Sequence, residues 1–313
     1  MKKNVVNEIH AEGYLYEHEL EKKVSKKGIE YIGGTISLAT DEECSNIVKF
    51  YFTYVTPTFS KSGSSNPNYK ILENIINSGT TQTVMGAGKE NSLKIRMNST
   101  IALNEFYDKD DKLVSQVRNE GGFINIINAF SDDSTLKNIF KADVLITSIF
   151  DKEADEEKNI EEHSIIKGAI FNNYTKALLP ISFSVYNPNA INYFKNFEPS
   201  SSNPIFTKIW GQIVSKEFVT KTETESAFGQ KLIEERRSTR KEYVITGAQG
   251  EIYDWDSEDT ILASEVKEAM SQRELHLAEI KKRQEEYKNS ATAPASTAVA
   301  SSAASVAAGD FKF

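Results

Sequence analysis

Lys22, Lys23, Lys26 and Lys27 are crowded into one short stretch, Tyr31 follows closely, and Lys49 and Tyr51 alternate with apolar residues further on. Ammonium groups beside phenol rings suit a ligand that carries both phosphates and bases. The cations neutralise the phosphates, and each ring stacks on a base for roughly 1–3 kcal/mol. Lys61, Lys70, Lys94 and Arg96 extend this set. A second group later in the chain offers the same chemistry, with Trp210 as a ring and Arg236, Arg237, Arg240 and Lys241 as cations. The net charge of −8 excludes a uniformly basic coat, so nucleic acid has to be gripped by a local patch.

Catalytic motifs are missing. Residues 85–91, MGAGKEN, lack both the spacing of a phosphate-binding loop and the strand that should precede it. Cys44 is the single cysteine, which leaves no intramolecular disulfide and no cysteine zinc site. His10, His18, His163 and His276 are too scattered for a clustered metal site. The acidic run 151–162, DKEADEEKNIEE, lacks the residue order of a calcium loop and reads as a solvated loop or a face for a protein partner. The expectation is a protein with no enzymatic activity, cofactor or metal. No apolar core follows Met1, Lys2 and Lys3, and no run reaches membrane-spanning length. A soluble, cytoplasmic chain with no membrane partner is therefore expected.

Strands must position the lysines and tyrosines. Within residues 29–55, Ile32, Ile36 and Leu38 share one parity of a first strand, and Val48, Phe50, Phe52 and Tyr54 form the apolar set of a second. Tyr31, Lys49, Tyr51 and Thr53 take the other face. Gly33 and Gly34 mark a bulge or sharp coil. Residues 11–24 read as a preceding strand, with the lysine-rich turn 25–28 after it. Residues 69–77 form a short amphipathic helix stopped by Gly79, and 92–106 and 122–129 are further strands on either side of a turn at 108–112.

Three strands, a helix and two strands is the order of a five-stranded Greek-key barrel of the OB type. The second half repeats it, with strands at 142–150, 164–171, 178–186, 206–219 and 241–247 and a helix at 189–197. The fold class is therefore mainly β. Two tandem OB-like barrels are expected over 1–131 and 140–250, then a long charged helix over 257–288. Residues 289–313 are expected to be a flexible linker, almost wholly Ala, Ser and Thr over 289–309, with an aromatic tip of Asp310, Phe311, Lys312 and Phe313.

Residues 13–55, GYLYEHELEKKVSKKGIEYIGGTISLATDEECSNIVKFYFTYV, resemble OB-fold single-stranded DNA-binding proteins of the kind encoded by bacteriophages. The first strand, the basic loop, the turn into the second strand and the aromatic third strand follow in that family's order. The resemblance implies sequence-tolerant binding and protection of single-stranded DNA in replication or recombination, with no catalytic residue. It also implies a C-terminal tip that recruits replication or recombination proteins, here Asp310, Phe311 and Phe313. This tip departs from the family's acidic pattern, since Lys312 precedes the final Phe313. The long helix is open to self-association into a homo-oligomer. The rival expectation is a scaffold or virion-associated protein that uses the same barrels for protein contacts.

Overall fold

The computed structural model describes residues 5–59, 61–131, 137–155, 160–172, 174–224, 228, 232–254 and 261–291, with the side chains of 218–224, 232–234, 236–238, 287 and 289–291 outside the description. Ten strands are hydrogen-bonded into one continuous sheet that closes on itself twice. In the first half, β1 (Asn7–Val24), β2 (Glu30–Ala39), β3 (Ile47–Val55), β4 (Lys94–Tyr107) and β5 (Leu113–Ile127) run in the ring order β1-β2-β3-β5-β4, and β4 returns to β1. Helix α1 (Pro67–Ser78) joins β3 to β4, followed by a single turn, α2 (Val84–Ala87). The second half repeats the ring with β6 (Asn138–Lys152), β7 (His163–Phe171), β8 (Leu178–Val185), β9 (Ile205–Thr224) and β10 (Leu232–Ala248), with α3 (Pro188–Lys195) between β8 and β9. In both rings the third strand pairs parallel with the fifth, and the other pairings are antiparallel. Each half is an OB-like Greek-key barrel.

Alternation fills the two interiors. Ile32, Ile36, Leu38, Phe50 and Phe52 are buried in the first barrel, as are Ile181, Phe183 and Val185 in the second. Helix α1 starts at an Asn66 cap, whose side chain accepts from the Asn68 N–H, and ends at Gly79. Its buried face, Tyr69, Leu72 and Ile75, plugs the first barrel.

The expected bulge is present, and it changes which face one ring occupies. Ile32 pairs with Val55 and Gly34 with Phe52, so Thr53 and Tyr54 together oppose one residue of β2. The inserted residue reverses parity beyond it. Tyr54, placed inside by a strict period of two, is therefore turned outward and is 42% exposed. Ser184 is on the outward face of β8 yet buried, where it lines the groove between the barrels.

Several strands outrun the sequence reading. Strand β5 begins at Leu113 where the apolar pattern marks 122, and β10 begins at Leu232 where it marks 241. Both belong to long hairpins that reach past their barrels. Between α1 and β4 the chain forms α2 and two short 3-10 turns, Gly79–Gln82 and Lys89–Asn91.

The barrels are fused rather than strung together. Residues Asn7–Ala11 of β1 pair antiparallel with Asn138–Ala142 of β6. Asn46, just before β3, donates to the Ile213 carbonyl and accepts from the Ser215 N–H of β9. Tyr243 of β10 donates to Asn119 Oδ1 of β5 at 2.6 Å. Helix α4 (Ala263–Ala291) packs through Val266 and Ala269 beside Ile261, while Leu262 and Met270 face solvent. Arg273 of α4 holds the buried Glu105 of β4 in a two-point ion pair at 2.7 and 3.1 Å and also donates to the Leu178 carbonyl of β8. No described helix is long and apolar enough to cross a membrane.

Candidate nucleic-acid interface

The outward face of β2 and β3 carries the expected ring-and-cation set. Thr35 pairs with Tyr51 and Ser37 with Lys49 across the two strands. Tyr31 lies against the outward-turned Tyr54, ring centres 4.5 Å apart. The Arg118 guanidinium of β5 sits 5.6 Å from the centre of the Tyr51 ring, within cation–π range. Three tyrosines, Tyr31 of β2 and Tyr54 and Tyr51 of β3, therefore lie on this face, from the lysine-rich turn toward the second barrel.

Acids of the same barrel hold most of the cations. Lys22 pairs with Glu73 at 2.7 Å, Lys23 with Glu21 at 3.1 Å, Lys49 with Glu19 at 3.4 Å, and Arg118 with Glu120 at 2.7 Å. Glu19 is held below the usual carboxylate range by a hydrogen bond from Thr35 and by the Lys49 charge. The Lys22 ammonium is raised by its hydrogen bond to Glu73. Lys26 and Lys27 stand exposed on the turn between β1 and β2, and Lys61 is exposed in the loop after β3.

Where β3 enters the molecule's middle, its face becomes one wall of a groove of about 740 Å³ between the barrels. Lys49, Tyr51 and Arg118 stand on the first-barrel wall, and Lys167, Ser182 and Lys241 on the second. Tyr243 closes the floor through its bond to Asn119, and burial, with the nearby Tyr51, pushes its phenol well above the ordinary value.

Other expected residues lie apart from this face. Arg96 is on β4, tied at 2.7 Å to Glu12 of β1, and Lys94 lies over the Phe130 ring. Trp210 is outward on β9, 37% exposed, and its indole lies so close over Gly247 that a Cβ there would fall 2.3 Å from Nε1. Arg240 is committed to Glu242 at 2.6 Å and to the ring of Tyr186, which stacks on His163. Arg236 and Arg237 lie on the β9–β10 ribbon with side chains outside the description, and Asp310, Phe311 and Phe313 lie outside the described residues.

Arg118, Lys167 and Tyr54 escape sequence reading as members of this site. Arg118 precedes the segment recognisable as its strand, Lys167 is a lone lysine in an apolar strand, and Tyr54 depends on the bulge. Among the described residues no three His, Cys, Asp or Glu side chains converge as a metal site would require.

The sequence matches the YorF family model over residues 5–283. No curated protein matches it. Among solved structures, a deletion variant of the single-stranded DNA-binding protein from Thermus aquaticus aligns with a TM-score of 0.45 and 8% identity, over 80% of this chain and 97% of that one. The wild-type form of that protein aligns at 0.44 and 9%, over 79% and 93%.

Proposed function

The chain belongs to the YorF family, and we propose that it binds single-stranded DNA without sequence preference through the outward face of β2 and β3. The observation that carries this is the row formed by Tyr31, Tyr54 and Tyr51, with lysines at one end and a cation-lined groove at the other. Rings presented on a strand face require unpaired bases, which favours single strands over duplex. Every base has a π face, so such stacking is tolerant of sequence. The carboxylates already paired with Lys22, Lys23 and Lys49 have to yield to phosphates, which suits a moderate, reversible and salt-sensitive grip.

Coating and protection of single strands in replication or recombination, in a cytoplasmic setting and without catalysis, is the role this binding serves. The tip formed by Asp310, Phe311 and Phe313 is its recruiting element.

Fluorescence anisotropy of a labelled oligo-dT of about 30 nucleotides, against duplex of equal length, tests the reading; that length exceeds the span of two OB folds at roughly 4–16 nucleotides each. Single-strand-selective binding that weakens with salt is expected. Tyr51→Ala is expected to cost roughly 1–3 kcal/mol of affinity, the loss of one stacked base. No binding of oligo-dT at low salt overturns the proposal and leaves a scaffold that uses these faces for protein contacts.

A further inference from the structure

The groove has a second wall, and its cations differ in kind from those of the first. On the outward face of β7 and β8, Lys167 and Ser182 are cross-strand partners, as Lys49 and Ser37 are on β3 and β2. The two barrels therefore turn equivalent faces toward the same space. Lys241 enters it from β10. Lys167 and Lys241 are both exposed, and neither is ion-paired among the described residues. Lys167 lies over the Phe150 ring at 4.9 Å, which orients it without neutralising it. Glu242, the groove's one acidic lining residue, is already matched by Arg240. Phosphates reaching this wall have no carboxylate to displace, in contrast to Lys22, Lys23 and Lys49.

The walls are also fixed relative to each other. The β1–β6 pairing, the Asn46 contacts to β9 and the Tyr243–Asn119 bond set the spacing before any ligand arrives. Such preorganisation removes an ordering cost from binding.

We infer that the DNA strand lying on the first barrel continues through this groove, with Lys167 and Lys241 contacting its phosphates, so that one strand is held by both barrels of one molecule. This rests on the single-strand reading above.

The experiment compares the full chain with the Lys167→Ala/Lys241→Ala double variant, titrating labelled oligo-dT at a series of salt concentrations. The slope of log K against log salt is expected to become shallower by about 1.4, from ~0.7 per lost phosphate contact on a single strand. In parallel, the unaltered protein is treated with an amine-acetylating reagent, and Lys167 and Lys241 are expected to be protected by oligo-dT. An unchanged slope and unprotected lysines in a protein that still binds oligo-dT overturn the inference alone. Failure of the unaltered protein to bind oligo-dT overturns the single-strand reading itself.

Discussion

Glu12 shows how this acidic protein uses its arginines. The carboxylate is buried on β1 and accepts from Arg96 Nε, from the Ser131 N–H at 2.7 Å and from Ser131 Oγ at 2.8 Å. Burial alone would raise its pKa, but the Ser131 and Arg96 hydrogen bonds outweigh it and hold the group below the usual carboxylate range. A depressed folded-state pKa contributes stability that is full above the unfolded value, about 4.3, and is lost as pH falls through the folded value. Urea midpoints measured from pH 7 to 3 should therefore fall steeply in the wild type. Glu12→Gln should start lower at pH 7 and decline less across the same interval. A parallel decline in both proteins would remove Glu12 from the acid response. Arg96, a natural choice for a phosphate contact by residue type, is thus committed to a partner 84 positions away in sequence. Residue type identified the cation, but its neighbours were fixed by a β1–β4 register that no local pattern encodes.

At the scale of elements, strands that bury one face were readable and those that bury neither were not. The runs around Ile36, Phe50 and Phe183 alternate because one face fills a barrel. The outer parts of β5 and β10 are hairpin arms; Leu113 and Val117 are exposed, and 232–240, LIEERRSTR, is mostly charged, so no alternation marks them. The bulge on β3 was legible through Gly33 and Gly34, while its effect on Tyr54 was not, since the extra residue sits on the partner strand. Gly34 itself has little freedom to change. Its φ is +134°, and a Cβ there would lie 2.0 Å from the Glu19 carbonyl of β1. Gly34→Ala is expected to destabilise the protein by at least the roughly 1–3 kcal/mol of a strained backbone. Gly63→Ala provides the control, because its φ of +64° is also positive but nothing approaches its Cβ. Equal losses in chemical denaturation would refute close strand approach as the cause.

At the scale of the whole molecule, α4 acts as a brace across two barrels. Arg273 touches Glu105 of the first and the Leu178 carbonyl of the second, and further along Gln284 donates to the Asp108 carbonyl and Lys288 pairs with Asp111. The last pair is solvent-exposed and worth little, whereas Glu105 is 1% exposed on its side chain. Arg273→Ala strands that carboxylate and should cost about 3–5 kcal/mol. Hydrogen exchange should quicken in α4 and in the facing ends of β4 and β8 ahead of the barrel interiors. Uniform quickening throughout would mean that the helix is not a separable brace. The sequence reading anticipated a long charged helix but not its seat, because the helix is held by three hydrogen bonds from Arg273, by Gln284 and Lys288, and by a small apolar patch at Val266 and Ala269 rather than by a broad apolar stripe.

The short ladder between Asn7–Ala11 and Asn138–Ala142 has a consequence for coverage. Domains joined by a slack tether can engage one at a time, so the length of polymer they occlude varies with conditions. Here the tether is replaced by shared strand pairing, and the two faces keep one distance and one orientation. Under the proposed single-strand binding the molecule is expected to behave as a ruler: salt should change how tightly a strand is held, while the number of nucleotides occluded per protein should stay constant.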